Sequence, residues 1–170
     1  AAQTNSPGRM ATLRKTEYGL AVRTGQSERG LRALLDALAL ERRIGAESMV
    51  VRSLVALSDS YLKKTDYARA ASYAAQAIAA ARKLNDKGSE AAARATLGQS
   101  HLGRGRLAEG KREVEAGLAG YEASGDIPGL QAVLAEYGRA LERAGDLAGA
   151  VAAYHRERAL SDELFKQRRQ

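Results

Sequence analysis

The run Gly105-Arg106-Leu107-Ala108-Glu109-Gly110-Lys111 has the glycine and lysine spacing of a phosphate-binding loop. Such a loop follows a strand, wraps its backbone N–H groups round phosphate and ends in Lys and a hydroxyl residue. Here Arg112 stands where the hydroxyl is needed, and no strand pattern precedes the run. His101 and His155 are the two histidines, and neither has a second His or Cys three or four residues away to begin a metal site. Serines are frequent, as at Ser53, Ser58, Ser60, Ser72 and Ser100, but none sits in the strand-to-helix elbow of a hydrolase nucleophile. Neighbouring carboxylates, Glu113 with Glu115 and Asp162 with Glu163, read as solvated helix faces. We therefore expect no catalytic residue, no metal and no cofactor, and read the chain as a binding domain rather than an enzyme.

The elements that position these residues repeat. Gly25, Thr65, Gly105 and Gly145 recur every 40 residues, and so do their surroundings: Gly30, Ala70, Gly110 and Ala150, then Leu34, Ala74, Val114 and Tyr154. A period of this length marks a stacked-repeat protein, in which one helical hairpin cannot bury its apolar face alone but stacked hairpins can. In the unit from Val51, Leu54, Leu57, Tyr61 and Leu62 form one helical stripe. Asp66 caps a second helix, which carries Tyr67, Ala70, Ala71, Ala74, Ala77, Ile78, Ala81 and Leu84. In the first unit Leu13, Leu20 and Val22 precede the turn, and Leu31, Leu34, Ala37, Leu38 and Ile44 follow it. The last unit gives an apolar face of Leu147, Ala150, Val151 and Tyr154, resuming at Leu160, Leu164 and Phe165. The chain has no cysteine, which excludes disulfides and thiolate metal sites, and no apolar run of about 18 residues to span a membrane. Its net charge of +7 is spread along the chain without a dense basic stripe or interleaved aromatics, so nucleic acid is not expected as a partner.

The pattern Leu57-Ser58, Tyr61, Ala70, Ala74, Ala77 resembles the tetratricopeptide repeat. It recurs as Leu97-Gly98, His101, Gly110, Val114, Gly117, and as Tyr137-Gly138, Leu141, Ala150, Tyr154, Glu157. The large aromatic of that family's first helix is missing, and the period is longer than its usual one. The resemblance implies an all-α fold, a right-handed α-solenoid of four antiparallel helix pairs. The repeats would cover residues 10–46, 47–87, 88–127 and 128–170, after a disordered or vector-derived tail at 1–9. The last helix is expected to continue into a downstream region.

The same resemblance implies that the first helix of each pair lines a concave groove. The ligand-binding positions so assigned are Lys15, Arg23, Arg52, Asp59, Lys63, Gln99, Arg139, Glu142 and Arg143, with Val55, Leu62, Ala95, Leu102 and Ala135 among them. Their basic excess suits a protein or peptide, or another carboxylate-bearing ligand. Asp59 and Glu142 could equally pair with Lys63 and Arg139. The segment Arg156-Glu-Arg-Ala-Leu160-Ser-Asp-Glu-Leu164-Phe165 is similar to a junction of bacterial transmembrane signalling proteins. In those, an extracytoplasmic repeat array leads into a membrane span and a GGDEF-type diguanylate cyclase or histidine kinase. That similarity implies a periplasmic sensor region, with a possible dimer through the last helix. The alternative is a cytosolic scaffold or signalling-peptide-binding regulator.

Overall fold

Each of the first seven helices stops where one residue turns left-handed. The computed structural model describes residues 6–167. Among them are eight helices: α1 (Pro7–Arg23), α2 (Ser27–Arg43), α3 (Glu47–Lys63), α4 (Tyr67–Lys83), α5 (Lys87–Gly103), α6 (Leu107–Ser124), α7 (Ile127–Arg143) and α8 (Leu147–Gln167). No strand occurs among the described residues. Positive φ is found at Gly25, Gly45, Thr65, Asn85, Gly105, Gly125 and Gly145. The turn therefore recurs every 20 residues, inside pairs and between them alike, rather than every 40. Glycine suits this slot because a Cβ disfavours the left-handed region. Thr65 occupies it at φ 57° despite its branched side chain.

Five of the eight helices start on a side-chain cap. Ser6, Asp66, Asp86 and Asp126 accept the backbone N–H three residues on, and Asp146 does the same for Gly149 at 2.9 Å. These side chains satisfy N–H groups that have no partner within the helix. Helix α1 begins at Pro7, so residues 7–9 are helical rather than tail, and the rest of the expected tail, apart from Ser6, lies outside the described residues.

Short turns make successive helices antiparallel, giving four pairs. The backbones of α3 and α5, and of α5 and α7, also approach one another, whereas the even helices meet only through side chains such as Arg42 with Gln76 and Arg156 with Glu115. The stack therefore curves, with the odd helices on its inner side. Two apolar clusters fill it. One joins Leu34 and Leu38 of α2, Leu54 and Leu57 of α3, and Ala77 and Ile78 of α4. The other joins Val114 and Leu118 of α6, Leu134 and Leu141 of α7, and Ala150 and Ala153 of α8.

The end helices depart from the sequence expectation. Leu13, Leu20 and Val22 are exposed, and α1 buries Ala11 and Ala21 instead. Leu147 and Val151 are likewise exposed, Tyr154 is at the edge of exposure, and Ile44 lies at the surface of its turn. An end helix has a neighbour on one side only, so half of its apolar pattern meets solvent. Tyr154 still lays its ring on Gly138 of α7, where no Cβ could fit.

Candidate functional site

A cleft of about 900 Å³ opens along the inner side of the stack. Its floor is short: Ala56 of α3, Ala92 and Ala95 of α5, Ala132, Val133 and Ala140 of α7. Small side chains let the odd helices approach, and they leave room above them. Polar residues stand round the floor. Arg52, Asp59 and Lys63 come from α3, Thr96 and Gln99 from α5, Glu136 and Arg143 from α7. Three tyrosines, Tyr18, Tyr67 and Tyr121, reach in from α1, α4 and α6.

Charges in the cleft are unevenly partnered. Lys63 Nζ lies 2.7 Å from Asp59 Oδ2, one helical turn away. That hydrogen bond raises the Lys63 ammonium above its ordinary pKa, and Asp59 and Glu136 add to the effect. Burial pushes the Tyr121 phenol up, with Asp126 and Asp59 adding to it. Arg52 donates through Nε only to the backbone oxygen of Ser48, at 3.4 Å. Among the described residues neither Arg52 nor Arg143 has a carboxylate within 4.0 Å. Two guanidinium forks, one at each end of the floor, are thus available to a ligand carboxylate.

Of the positions assigned from sequence, Arg52, Asp59, Lys63, Gln99 and Arg143 line this cleft, as do Val55, Leu62, Ala95 and Leu102. Lys15 does not. Its Nζ lies 3.2 Å from Oε1 of the fully buried Glu41, between α1 and α2. Arg23 is exposed at the end of α1 and also lies off the cleft. Arg139 bonds Glu136 at 2.6 Å rather than Glu142, and Glu142 accepts from the Tyr154 hydroxyl at 3.0 Å. The face turned to the cleft is the same on α3 (Val55, Asp59, Leu62) and α5 (Ala95, Gln99, Leu102) and rotates on α7 to Val133, Glu136 and Ala140. That rotation carries Arg139 and Glu142 out of it. Sequence reasoning missed Ala92, Thr96, Ala132 and Glu136. Extending Arg52 and Ala56 by the 40-residue period would have found all four.

The residues first read for chemistry have structural occupations. Gly105 makes the turn before α6. Gly110 lies against α5, where a Cβ would meet Leu102 Cγ at 2.6 Å and the Gly98 oxygen at 2.9 Å. Lys111 Nζ reaches Asp146 Oδ2 at 2.7 Å, tying α6 to the turn before α8. His101 Nδ1 is buried and has no hydrogen-bond partner, with Glu109 Oε2 at 3.7 Å. Burial holds its imidazole below the usual pKa. His155 is exposed. Among the described residues no three His, Cys, Asp or Glu side chains gather where a metal could be held. No helix among them is long and apolar enough to cross a membrane.

No protein-family model matches the sequence, and no curated protein matches it either. Solved structures do match its fold. The apo form of RapI superposes with a TM-score of 0.83 at 13% identity, over 97% of this chain and 60% of that one. BtubC (BKLC) from P. vanneervenii gives 0.78 at 18% identity, over 95% of this chain and 67% of that one. The kinesin light chain TPR-like repeats of Podosopora anserina give 0.73 at 17%, over 97% of this chain and 81% of that one. The chain thus spans three-fifths of the RapI chain. Together with the eight helices, these likenesses show a tetratricopeptide-like solenoid.

Proposed function

We propose that this chain is a non-catalytic binding domain whose concave cleft receives an extended protein or peptide segment bearing carboxylates. The observation that carries this reading is the cleft itself: an apolar lining made mostly of alanines, with Val55, Leu62, Leu102 and Val133, and beside it Arg52 and Arg143, neither of them ion-paired. A floor of small side chains accepts a peptide backbone closely, and the forks fix its acidic groups. The test is a display selection with randomised peptides. Selected peptides should be rich in Asp and Glu, and Arg52→Glu with Arg143→Glu should abolish their binding without changing the melting temperature. Peptides that bind the double variant unchanged would contradict the reading.

The finer reading makes this domain the periplasmic input region of a membrane-bound bacterial signalling protein of the GGDEF type. Its support is the junction-like sequence of α8 and the length of that helix, 21 residues against 17 or 18 elsewhere. Leu160 packs on the second apolar cluster and Ser161 accepts from Gln131 of α7, while Phe165 is 61% exposed. A Gly-Ser insertion after Phe165 of the parent protein should uncouple ligand binding from output. Output that stays ligand-dependent would favour a cytosolic docking scaffold instead.

A further inference from the structure

The two unpaired guanidiniums of the cleft stand at opposite corners of it. Arg52, Ala92 and Ala132 hold equivalent positions near the starts of α3, α5 and α7, while Lys63, Gly103 and Arg143 are equivalent at their ends. The odd helices run parallel, because each is antiparallel to the even helix between. Arg52 therefore marks one edge of the cleft on α3, and Arg143 the other edge on α7. Both side chains are exposed. The carboxylates nearest them are already engaged. Asp86, the cap of α5, is held below its ordinary pKa by the Ser89 N–H and hydroxyl, with Arg52 adding to the effect. Ser89 nevertheless takes both Asp86 oxygens, at 3.0 and 2.7 Å. On α7, Arg139 bonds Glu136 at 2.6 Å, and the Tyr154 hydroxyl bonds Glu142 at 3.0 Å.

Between the corners the charges cancel. Asp59 pairs with Lys63, and Glu136 with Arg139. From α5 come Thr96, whose hydroxyl donates to the Ala92 oxygen at 3.2 Å, and Gln99. Among the described residues the Gln99 carboxamide has no hydrogen-bond partner, so it is open to a neutral polar group. Arg143 stands at the level of Lys63, about 16 Å beyond Arg52 along the helix direction at the helical rise. The two steps from α3 to α5 and α5 to α7 add about 18 Å across. The corners are then about 24 Å apart, a span that an extended segment covers in about seven residues. We propose, resting on the reading of this cleft as a peptide groove, that it selects acidic segments by spacing. Two carboxylates about seven residues apart, with neutral residues between them, lie diagonally across the stack from Arg52 to Arg143. Clustered acids fit worse, because they reach one fork and leave the rest facing Asp59 or Glu136.

The test is a displayed library in which two glutamates stand at every separation up to about twelve residues in a neutral background of Ala, Ser, Thr and Gln. Enrichment on the whole chain should peak at about seven residues and fall on either side. Adjacent glutamates should do no better than one. Arg52→Glu should weaken the best-spaced peptide at least about tenfold, the contribution of one charge-assisted hydrogen bond. Lys in place of the glutamate at one end should restore binding. Arg143→Glu should behave alike, with Lys restoring binding at the other end. Thermal melts check each variant, and Arg52→Gln and Arg143→Gln, which should lose binding and gain nothing from Lys, guard against a fold damaged by charge reversal. Acidic peptides that need the arginines but show no preferred spacing would overturn the spacing rule and leave the groove reading standing. Rescue of both variants by Lys at the same end would overturn the diagonal crossing. No enrichment of acidic peptides, or enrichment indifferent to both arginines, would overturn the groove reading and this proposal with it.

Discussion

Between α5 and α6 the two backbones touch through glycine, whereas in the first pair a carboxylate, Glu17, stands where the other pairs carry Leu57, Leu97 and Tyr137. A Cβ on Gly98 would meet the Gly110 oxygen at 2.6 Å and the Val114 nitrogen at 2.6 Å. A Cβ on Gly117 would lie 2.9 Å from the Ala91 oxygen and from the Ala95 nitrogen. Arg14 holds the position of Leu54 and Leu134, which α5 also fills with an arginine, Arg94, so Glu17 is the residue peculiar to the first pair. Glu17 accepts from Arg14 and from Arg29 at 2.9 Å each, and Lys15 lies against the buried Glu41. Half-exposed ion pairs contribute little, on the order of 0–1 kcal/mol. Close-packed backbones tolerate no added atom. Backbone-to-backbone contact is therefore closest in the third pair, while the first pair carries half-exposed ion pairs along its edge.

The sharpest way to break this contrast is one substitution made in both pairs. Gly98→Ala should cost about 1–3 kcal/mol, because backbone cannot move aside for the new methyl. Gly30→Ala places its Cβ 3.2 Å from the Ala21 methyl, and helix propensity offsets that crowding, by up to about 1 kcal/mol. Equal losses in chemical denaturation would remove the contrast. Ala150→Leu, at a fully packed contact of the last pair, should also cost about 1–3 kcal/mol.

Next in size is Lys15→Ala, which leaves the Glu41 carboxylate buried with Ser53 as its one hydrogen-bond donor. We expect a loss of about 2 kcal/mol, below the full cost of stranding a buried charge because Lys15 is itself partly solvated. Lys15→Ala with Glu41→Leu should recover much of it. A single variant as stable as the wild type would mean that water already reaches Glu41. Thr65→Gly should stabilise by about 1 kcal/mol, since it frees a branched residue from left-handed backbone.

Acid should act on the third pair through His101. Its folded pKa lies below the ordinary 6.5 because burial disfavours the imidazolium. Its contribution to stability is then fully present above about pH 6.5 and is lost as pH falls toward the folded value, where the unfolded chain binds the extra proton. A His101→Leu variant should show a shallower fall in stability across that window. An identical slope would place His101 in solvent. Removing Glu17 should give the smallest effect, and one that salt erases.

The repeat frame was legible in the sequence because each pair must reverse at a fixed interval. The 20-residue turn was not, since Gly45, Asn85 and Gly125 occupy the left-handed slot with different residue types and flanks. Interior core positions such as Leu54, Leu57, Ala74 and Leu118 follow from periodicity, because both of their helix faces have neighbours. Leu13 and Val151 show the same periodicity and are exposed, because nothing in the pattern of one helix says whether another covers it. In the cleft, Arg52, Asp59 and Gln99 could be placed from the repeat, whereas Arg139 could not. The lining face is the same on α3 and α5 and turns only at α7, a step that the repeat pattern does not mark.

The central claim is that the interior odd helices form a binding surface. Chemical-shift mapping with a selected acidic peptide tests it most directly. The largest shifts should fall on Val55, Asp59, Thr96, Gln99, Val133 and Glu136, while Ala79 and Glu115 on the outer helices stay put. Shifts gathered on those outer helices, or spread evenly over the chain, would contradict it.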